Sequence, residues 1–327
     1  MAPGQNPSRR REMLIQLLRA GGLGAGAVGL GVGLRGRSRR PEEAAAVAVR
    51  PRAAVPVDPV LPQMAIAQGD DPRLLVRRAV GELGGMRRFV SAGEVVVVKP
   101  NIGWDRTPAQ AANTNPDVVG EVVRLCLEAG AGKVIVTDVP VNEPRRAFLR
   151  SGIAEAARRE GAEIVLPEER GFKDADLGGE VLGVWSVLEP FLEADKIINL
   201  PIAKHHSLTG ATLGMKNWYG VLGGERQRLH QRIHESLADL AAFLRPALTI
   251  LDAYRVLVRN GPAGGSPEDV ETKKTLIAGT DPVALDAYVA KAYWDLDAER
   301  LPYLEFASRR GLGTVKFETL RVRRVTL

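Results

Sequence analysis

Residues 94–104 read EVVVVKPNIGW, and this stretch decides the fold. Its four consecutive valines predict a strand with both faces buried, which is typical of a parallel sheet covered by helices. The strand runs into Lys99-Pro100-Asn101, so polar side chains are expected at its carboxyl end. Whether the sheet is parallel then depends on the elements that follow.

Helices and strands alternate after this stretch. Asn115-Pro116 predicts the start of a helix, because asparagine caps helices and proline fits their first turn. A strand is predicted over 133–138, a helix over 143–160 and another strand over 163–166. This order predicts an α/β fold with a doubly wound, mostly parallel sheet, right-handed crossovers and helices on both faces.

The remaining pattern extends the sheet and predicts a single α/β domain over 62–327. Aspartate followed by proline predicts two further helix starts, at Asp71-Pro72 and at Asp281-Pro282. The other predicted elements are strands 64–67, 196–200, 247–253 and 275–281, a helix near 235–244, and a terminal strand within 319–327.

The N-terminal part differs in composition. Residues 1–35 carry Arg10-Arg11 before an apolar Gly/Ala-rich segment, which is the layout of a twin-arginine export signal. The apolar segment is short for a membrane span, and no convincing cleavage site follows it, so it could remain as an anchor. A disordered basic tail is the alternative, and residues 36–61 predict a disordered linker.

These features predict export by the twin-arginine machinery. The protein would then be periplasmic or anchored to the membrane facing outward. Contact with the membrane is expected only through the N-terminal segment.

The positive charge of the chain is concentrated in that segment. The net charge is +6, and residues 1–52 hold ten arginines against three glutamates, so the remainder is nearly neutral. The overall charge therefore does not argue for nucleic-acid binding, which we do not expect. The single cysteine, Cys126, lies in an apolar helical run, so we expect neither a disulfide within the chain nor an iron–sulfur cluster.

Residues suited to chemistry cluster in 197–234, which read IINLPIAKHHSLTGATLGMKNWYGVLGGERQRLHQRIH. All four histidines of the chain lie here, on either side of a glycine-rich loop. Glycines let backbone N–H groups approach a ligand, and Lys204 and Lys216 add positive charge, so the loop could hold an anion. The spacings of a P-loop, a dinucleotide-binding motif and a nucleophile elbow are absent.

Ligands of open α/β sheets bind beyond the carboxyl ends of the strands, which adds residues from neighbouring strands to the candidate site. Asp138 and Asp281 occupy such positions but fit helix capping equally well. The candidate catalytic residues are Lys99, His206, Lys216 and Asn217. The candidate binding residues are Asn101, Lys204, His205, Thr209, Thr212 and Asp252.

A divalent metal is the cofactor that the histidines suggest. His230 and His234 are four residues apart, a spacing that places two side chains on one face of a helix. With His206 they are the candidate metal ligands, although histidines on a solvated helix face explain the pair equally well. Because the loop must return to the sheet, we expect His205 or His206 to share a pocket with Lys216 and with one of the later histidines.

Several motifs resemble the family known as domain of unknown function 362. They are Pro100-Asn101 after the valine strand, NTNP at 113–116, KHH followed by GMKNWYG within 204–220, DA at 252–253, and GTDPVALDA at 279–287. The likeness covers about residues 62–325 and implies no settled activity. Members often carry a ferredoxin-like cluster domain, but this chain lacks the cysteines for one.

A second likeness is to the lactate racemase family. Its members place a histidine, a lysine in a Gly-rich loop and a later histidine near a nickel-pincer cofactor. His206, Lys216 and either His230 or His234 follow that order. We assign no nickel from the order alone.

These patterns predict an exported protein whose site at 204–234 uses a metal or an anion-binding loop. Its substrate would be a small molecule bearing a carboxylate or phosphate. His206 and a later histidine would bind metal or act as a general base, and Lys216 would neutralise the anion. The alternatives are a non-catalytic periplasmic ligand-binding protein and an assembly factor, so the sequence leaves open whether the protein is an enzyme.

Overall fold

One large sheet organises the fold. The computed structural model describes residues 46–52, 55–56 and 58–327, in which ten strands form this sheet and two more form a separate hairpin. The strands are β1 (Met64–Gln68), β2 (Val95–Pro100), β3 (Lys133–Val136), β4 (Glu163–Ile164), β5 (Phe172–Asp176), β6 (Val184–Leu188), β7 (Lys196–Leu200), β8 (Ile202–His206), β9 (Gly210–Thr212), β10 (Leu248–Leu257), β11 (Val270–Gly279) and β12 (Val322–Thr326).

Helices cover both faces of the sheet. They are α1 (Pro72–Glu82), α2 (Pro116–Glu128), α3 (Pro144–Arg150), α4 (Ile153–Arg159), α5 (Pro190–Glu193), α6 (Ile233–Leu244), α7 (Pro282–Trp294) and α8 (Pro302–Arg309). Helices α1 to α4 contribute to one hydrophobic core and α5 to α8 to the other. Along β2, Val96 and Val98 pack in the first core and Val97 in the second, which is why the valine run does not alternate with polar residues.

The strand order is β12-β1-β11-β10-β7-β2-β3-β4, with β8 paired to β10 and to β9. Strands β2, β3, β4, β7 and β10 pair in parallel. The exceptions in this row are the pairings of β11, which runs antiparallel to both β1 and β10. The sheet is therefore mostly parallel, and the predicted α/β fold with helices on both faces is confirmed.

The predicted helix starts are also confirmed. Asp71 accepts a hydrogen bond from a backbone N–H two residues on at 2.8 Å, and Asn115 accepts one at 3.1 Å. Asp281 caps α7 by accepting from a backbone N–H three residues on at 2.8 Å. Each cap satisfies an N–H that the helix itself leaves unpaired, so these starts depend on local sequence alone.

Two segments differ from the pattern. The helix predicted over 143–160 is divided into α3 and α4, because Gly152 adopts a left-handed conformation with φ of 74° between them. The β5–β6 hairpin, which pairs Phe172 with Leu188, lies where the sequence predicted no element.

Part of the predicted linker is held on the domain. The Val47 N–H donates to a carbonyl of β5 at 2.8 Å, and the Arg52 guanidinium donates to the carbonyls of Phe191 and Phe243 at 2.9 and 3.1 Å. These hydrogen bonds join Val47 and Arg52 to carbonyls that are more than a hundred residues away along the chain. The predicted export signal at 1–35 lies outside the described residues, and no described helix is long and apolar enough to cross a membrane.

Candidate functional site

A cavity of about 470 Å³ lies beyond the carboxyl ends of β2, β3 and β8. This is the position at which ligands bind in open α/β sheets. The loop after β9 and the segment before α6 complete its walls. The polar, charged and aromatic residues that line it are Lys99, Asn101, Trp104, Asp138, Lys204, His206, Thr212, Lys216, Asn217, Tyr219, Arg226, Gln227 and His230.

Lys99 is fully buried at the end of β2, and acceptors surround its ammonium. Nζ lies 2.6 Å from Asp138 Oδ1 and donates to the carbonyl of Pro100 at 2.8 Å and to Asn217 Oδ1 at 3.0 Å. Burial lowers the pKa of Lys99, and the Asp138 carboxylate opposes that shift. With three acceptors in place, Nζ has no hydrogen left to donate to a ligand.

Asp138 follows β3 and pairs with Lys99, so it does not cap a helix. Its Oδ2 also accepts from the N–H of Ile102 at 2.5 Å. Gly220 makes this close packing feasible, since a Cβ there would lie 1.7 Å from Asp138 Oδ1. Of the described residues that line the cavity, Asp138 carries the only carboxylate. Its position at the end of a strand was the available signal in the sequence.

Lys204 lies on β8 and is also buried, but it has fewer acceptors. Nζ donates to Asn101 Oδ1 at 2.9 Å and to the carbonyl of Ala112 at 2.6 Å, with no third acceptor among the described residues. Burial is the main reason that the pKa of Lys204 falls to about 7. The neighbouring lysines of the cavity act in the same direction, and Asp138 opposes them.

Asn217 connects these groups. Its Oδ1 accepts from Lys99 and, at 3.0 Å, from Asn101 Nδ2. Its Nδ2 donates to Asn199 Oδ1 at 2.8 Å and to the backbone carbonyl of Lys99 at 3.2 Å. The hydrogen-bonding groups of the Asn217 amide are therefore all used within the protein. The amide holds the lysines in place and presents no free group to the cavity.

Lys216 has a different environment. It is only 7% exposed, and its Nζ lies 4.7 Å from the centre of the Tyr219 ring. Within the described part of the chain it makes no hydrogen bond or ion pair. Burial lowers the pKa of Lys216 to about 8. A buried cation with no counter-ion destabilises a protein, so a bound anion would compensate for it.

Two hydroxyl groups in the cavity lack partners. Thr212 Oγ1 and Tyr219 Oη are buried and accept or donate no hydrogen bond among the described residues. Burial raises the pKa of Tyr219, so its phenol remains protonated and can donate. Arg226 adds a further cation, held by the carbonyls of Val139 and Pro140 at 2.8 and 2.9 Å. The sequence pattern did not single out Tyr219 or Arg226 as candidate residues, although Tyr219 lies within the GMKNWYG motif.

His206 lines the cavity, and its ring is held by local backbone. Its Nδ1 accepts from the backbone N–H groups of Leu208 and Thr209 at 3.1 and 3.4 Å, so in the neutral ring the proton is on Nε2. Burial, followed by the nearby lysines, lowers the pKa of His206 to about 3 and keeps the ring neutral. In this tautomer Nε2 has no lone pair with which to bind a metal.

His230 and His234 do not share a face. Residues 226–232 form a 3-10 helix, and Arg232 leaves helical geometry with φ of −135° before α6 begins, so the spacing of four does not align the rings. His230 lines the cavity, 5.4 Å from Tyr219, whereas His234 packs 6.3 Å from Tyr303.

The structure does not group the three predicted metal ligands, His206, His230 and His234, around one point. Within the described residues, no three His, Cys, Asp or Glu side chains are grouped so that they could hold a metal ion. The cavity is also a poor environment for a divalent cation, because its lysines repel positive charge and its carboxylate is paired with Lys99.

Some predicted binding residues lie outside the cavity. His205 Nδ1 accepts from the N–H of Gly261 at 3.2 Å, and Thr209 Oγ1 donates to a carbonyl two residues on at 3.0 Å. Asp252 accepts from two backbone N–H groups at 2.7 and 2.9 Å. In the structure these side chains fix local backbone and do not line the cavity. His206, Lys216 and His230 do line one cavity.

Comparison with known proteins finds a relative that matches most of the chain. It is 31% identical over 255 residues to a thylakoid-associated protein of Synechocystis sp., covering 74% of this chain and 76% of that one.

Two solved structures are more distantly similar. One is the lactate racemase apoprotein of Thermoanaerobacterium thermosaccharolyticum, with 13% identity, a TM-score of 0.40 and 75% of this chain covered. The other is a Thermotoga maritima protein, with 14% identity, a TM-score of 0.36 and 73% of this chain covered. The match spans 60% of the length of each of these two structures.

Every residue that lines the cavity falls within the part of the chain that matches a family model. That match covers residues 96–291, and the chain therefore belongs to the family described as a domain of unknown function, DUF362.

Proposed function

We propose that this protein is an enzyme that acts on a small molecule bearing a carboxylate or phosphate, held in the cavity by Lys216. The observation that carries the proposal is the state of Lys216, which is buried, lines the cavity and lacks any anionic partner among the described residues. A buried charge without a counter-ion lowers stability, and natural proteins retain one where a bound ligand supplies the counter-ion.

The charge of the cavity supports an anionic substrate. Lys99, Lys204, Lys216 and Arg226 face a single carboxylate, that of Asp138, so the lining has a surplus of positive charge. The unpartnered hydroxyl groups described above add neutral donors for anion oxygens. An anion would therefore meet positive charge in the cavity, and two residues that line it carry hydroxyl groups without a partner among the described residues.

The state of Lys204 supports catalysis rather than binding alone. A site that only binds an anion requires cations that remain charged, such as Lys99. Lys204 instead has a pKa of about 7, so it can exchange a proton or use its lone pair near neutral pH. Turnover of a bound substrate, and not only its retention, distinguishes this proposal from a non-catalytic ligand-binding protein.

Calorimetric titration with anions and their uncharged analogues tests the proposal. Lactate, pyruvate and inorganic phosphate are the probes, and lactamide is the matched analogue without charge. We expect the anions to bind and lactamide to bind far more weakly, because only the anions can pair with Lys216. Equal heats for lactate and lactamide would contradict the proposal.

The anion affinity should fall as the pH rises through about 8. The pKa of Lys216 is about 8 in the folded protein, so the ammonium that attracts the anion is present below this pH and is lost above it. Well above the pKa, the apparent affinity should decrease about tenfold per pH unit. The same titration between about pH 6 and 10 measures this, and a constant affinity across that range would exclude Lys216 as the anion-binding cation.

We also propose that the protein is exported by the twin-arginine route and works outside the cytoplasm. The Arg10-Arg11 pair supports this, and the Synechocystis relative is named as thylakoid-associated. The joint substitution Arg10→Lys and Arg11→Lys should leave the protein in the cytoplasm, because the receptor reads guanidinium groups. Cell fractionation measures this, with Arg39→Lys and Arg40→Lys as the matched control. Unchanged export of the Arg10/Arg11 variant would exclude this route.

A further inference from the structure

We propose that Lys204 is a nucleophile that forms an imine with the substrate, and that the substrate is a small aldehyde or ketone carrying a carboxylate or phosphate. This inference rests on the proposed function, since the anionic group of the substrate would lie beside Lys216. The geometry around three lysines of one cavity carries it.

The two acceptors around Lys204 leave one tetrahedral position of its Nζ without a hydrogen-bond partner. A neutral amine has two hydrogens and one lone pair. Asn101 Oδ1 at 2.9 Å and the Ala112 carbonyl at 2.6 Å take the two hydrogens, so the lone pair is left for a ligand in the cavity. Gly103 lies beside this amine and also lines the cavity.

The other two lysines of the cavity cannot take this role. Lys99 Nζ has three acceptors, including the Asp138 carboxylate at 2.6 Å, so its ammonium has no lone pair to offer. Lys216 lies over the Tyr219 ring without acceptors, so nothing orients its amine. Of these three lysines, only Lys204 is buried and has two acceptors, which hold two hydrogens of its amine.

The charges around Lys204 favour the neutral amine. Burial lowers its pKa most, Lys216 and Lys99 lower it further, and Asp138 raises it, with a net value of about 7. Desolvation beside other cations is a general way to activate a lysine for attack on a carbonyl. Burial and these cations therefore favour the neutral amine, which carries the lone pair needed for attack.

The reaction balances with groups in the cavity. The Nζ lone pair attacks the carbonyl carbon, and the C=O electrons move to oxygen, which can accept a hydrogen bond from His206 Nε2–H. A proton passes from nitrogen to this oxygen to give a neutral carbinolamine. Protonation of its hydroxyl by the Lys216 ammonium then releases water and leaves a protonated imine, so no oxidant or reductant is required.

Reductive trapping of the full chain tests the inference. The protein is incubated with pyruvate and sodium borohydride, and the modified lysines are located by peptide mass mapping. We expect a reduced pyruvate adduct on Lys204 at least about tenfold above that on exposed Lys316, because an ordinary lysine is almost entirely protonated at neutral pH. Adducts spread over exposed lysines without enrichment at Lys204 would overturn the inference.

Three variants sharpen the result. Lys204→Arg keeps a buried cation but should form no adduct, while Lys316→Met should react as the native protein does. Lys216→Met should lose trapping of pyruvate, because it removes both the cation that pairs with the carboxylate and the acid that protonates the carbinolamine. If Lys204→Arg fails to fold, the adduct map of the native chain still decides the question.

The same samples separate this inference from the proposed function. Binding of pyruvate in the calorimeter without an adduct on Lys204 would overturn the imine and leave the anion site in place. Neither binding nor an adduct would overturn both. Binding together with an adduct on Lys204 would support both.

Discussion

Replacing Lys216 with methionine is expected to abolish anion binding while making the protein more stable. Methionine keeps the length and apolar character of the buried stem but removes the charge. Loss of a buried cation from an ion pair with ligand costs about 2–5 kcal/mol, which corresponds to about a thirtyfold or greater rise in Kd. In the free protein the same substitution removes a buried charge that has no partner among the described residues, so the free energy of unfolding should rise by about 1–2 kcal/mol.

Two measurements on one variant check this prediction. Calorimetry with lactate or phosphate gives the affinity, and urea unfolding at neutral pH gives the stability. Lys316→Met is the matched control, because Lys316 is exposed and should change neither quantity appreciably. A Lys216→Met variant that binds lactate normally, or that unfolds more readily than the native protein, would contradict the role assigned to this lysine.

Replacing Asp138 with alanine should produce the largest loss of stability among these variants. Asp138 lies 2.6 Å from Lys99 Nζ and accepts from the N–H of Ile102 at 2.5 Å, and all of these groups are buried. Removing one partner of a buried ion pair leaves the other charge uncompensated, so we expect a loss of about 3–5 kcal/mol. Urea unfolding at neutral pH measures it.

Two controls separate the ion pair from a general effect of removing aspartate. Asp297→Ala should cost less than about 1 kcal/mol, since the Asp297 side chain is 60% exposed and its partner Lys291 is 44% exposed. Adding Lys99→Met to the Asp138 variant should recover much of the loss, because the isolated charge is then gone. A small loss in the single variant, or no recovery in the double one, would show that the pair is not the cause.

Much of the fold can be read from local sequence. The valine run of β2 is hydrophobic on successive residues because helices cover both faces, and this periodicity follows from the strand itself. The helix starts at Asp71, Asn115 and Asp281 depend on a side chain and a backbone N–H only a few residues apart. Such short-range signals suffice for the α/β alternation and for the end of the sheet at which a site should lie.

Other features depend on partners that are distant in sequence. The antiparallel placement of β11 between β1 and β10 depends on which strands pair in the folded chain. The sequence of β11 alone does not predict it. The spacing of His230 and His234 predicted a shared helix face that the structure does not have, and the reason lies in the local backbone. A break at Arg232 between a 3-10 helix and α6 rotates His234 away from His230, and the sequence marks no such break.

The three cavity lysines show the division most clearly. Composition and topology place Lys99, Lys204 and Lys216 at one edge of the sheet, and the sequence by itself determines that much. Their chemistry is decided by tertiary structure, because the acceptors of Lys99 and Lys204 include Asn217 and Asn101, each more than a hundred residues away along the chain. The number of acceptors and the depth of burial decide whether a lysine amine stays a cation, acts as a base or binds an anion. Both the acceptors and the burial arise only when the chain is folded.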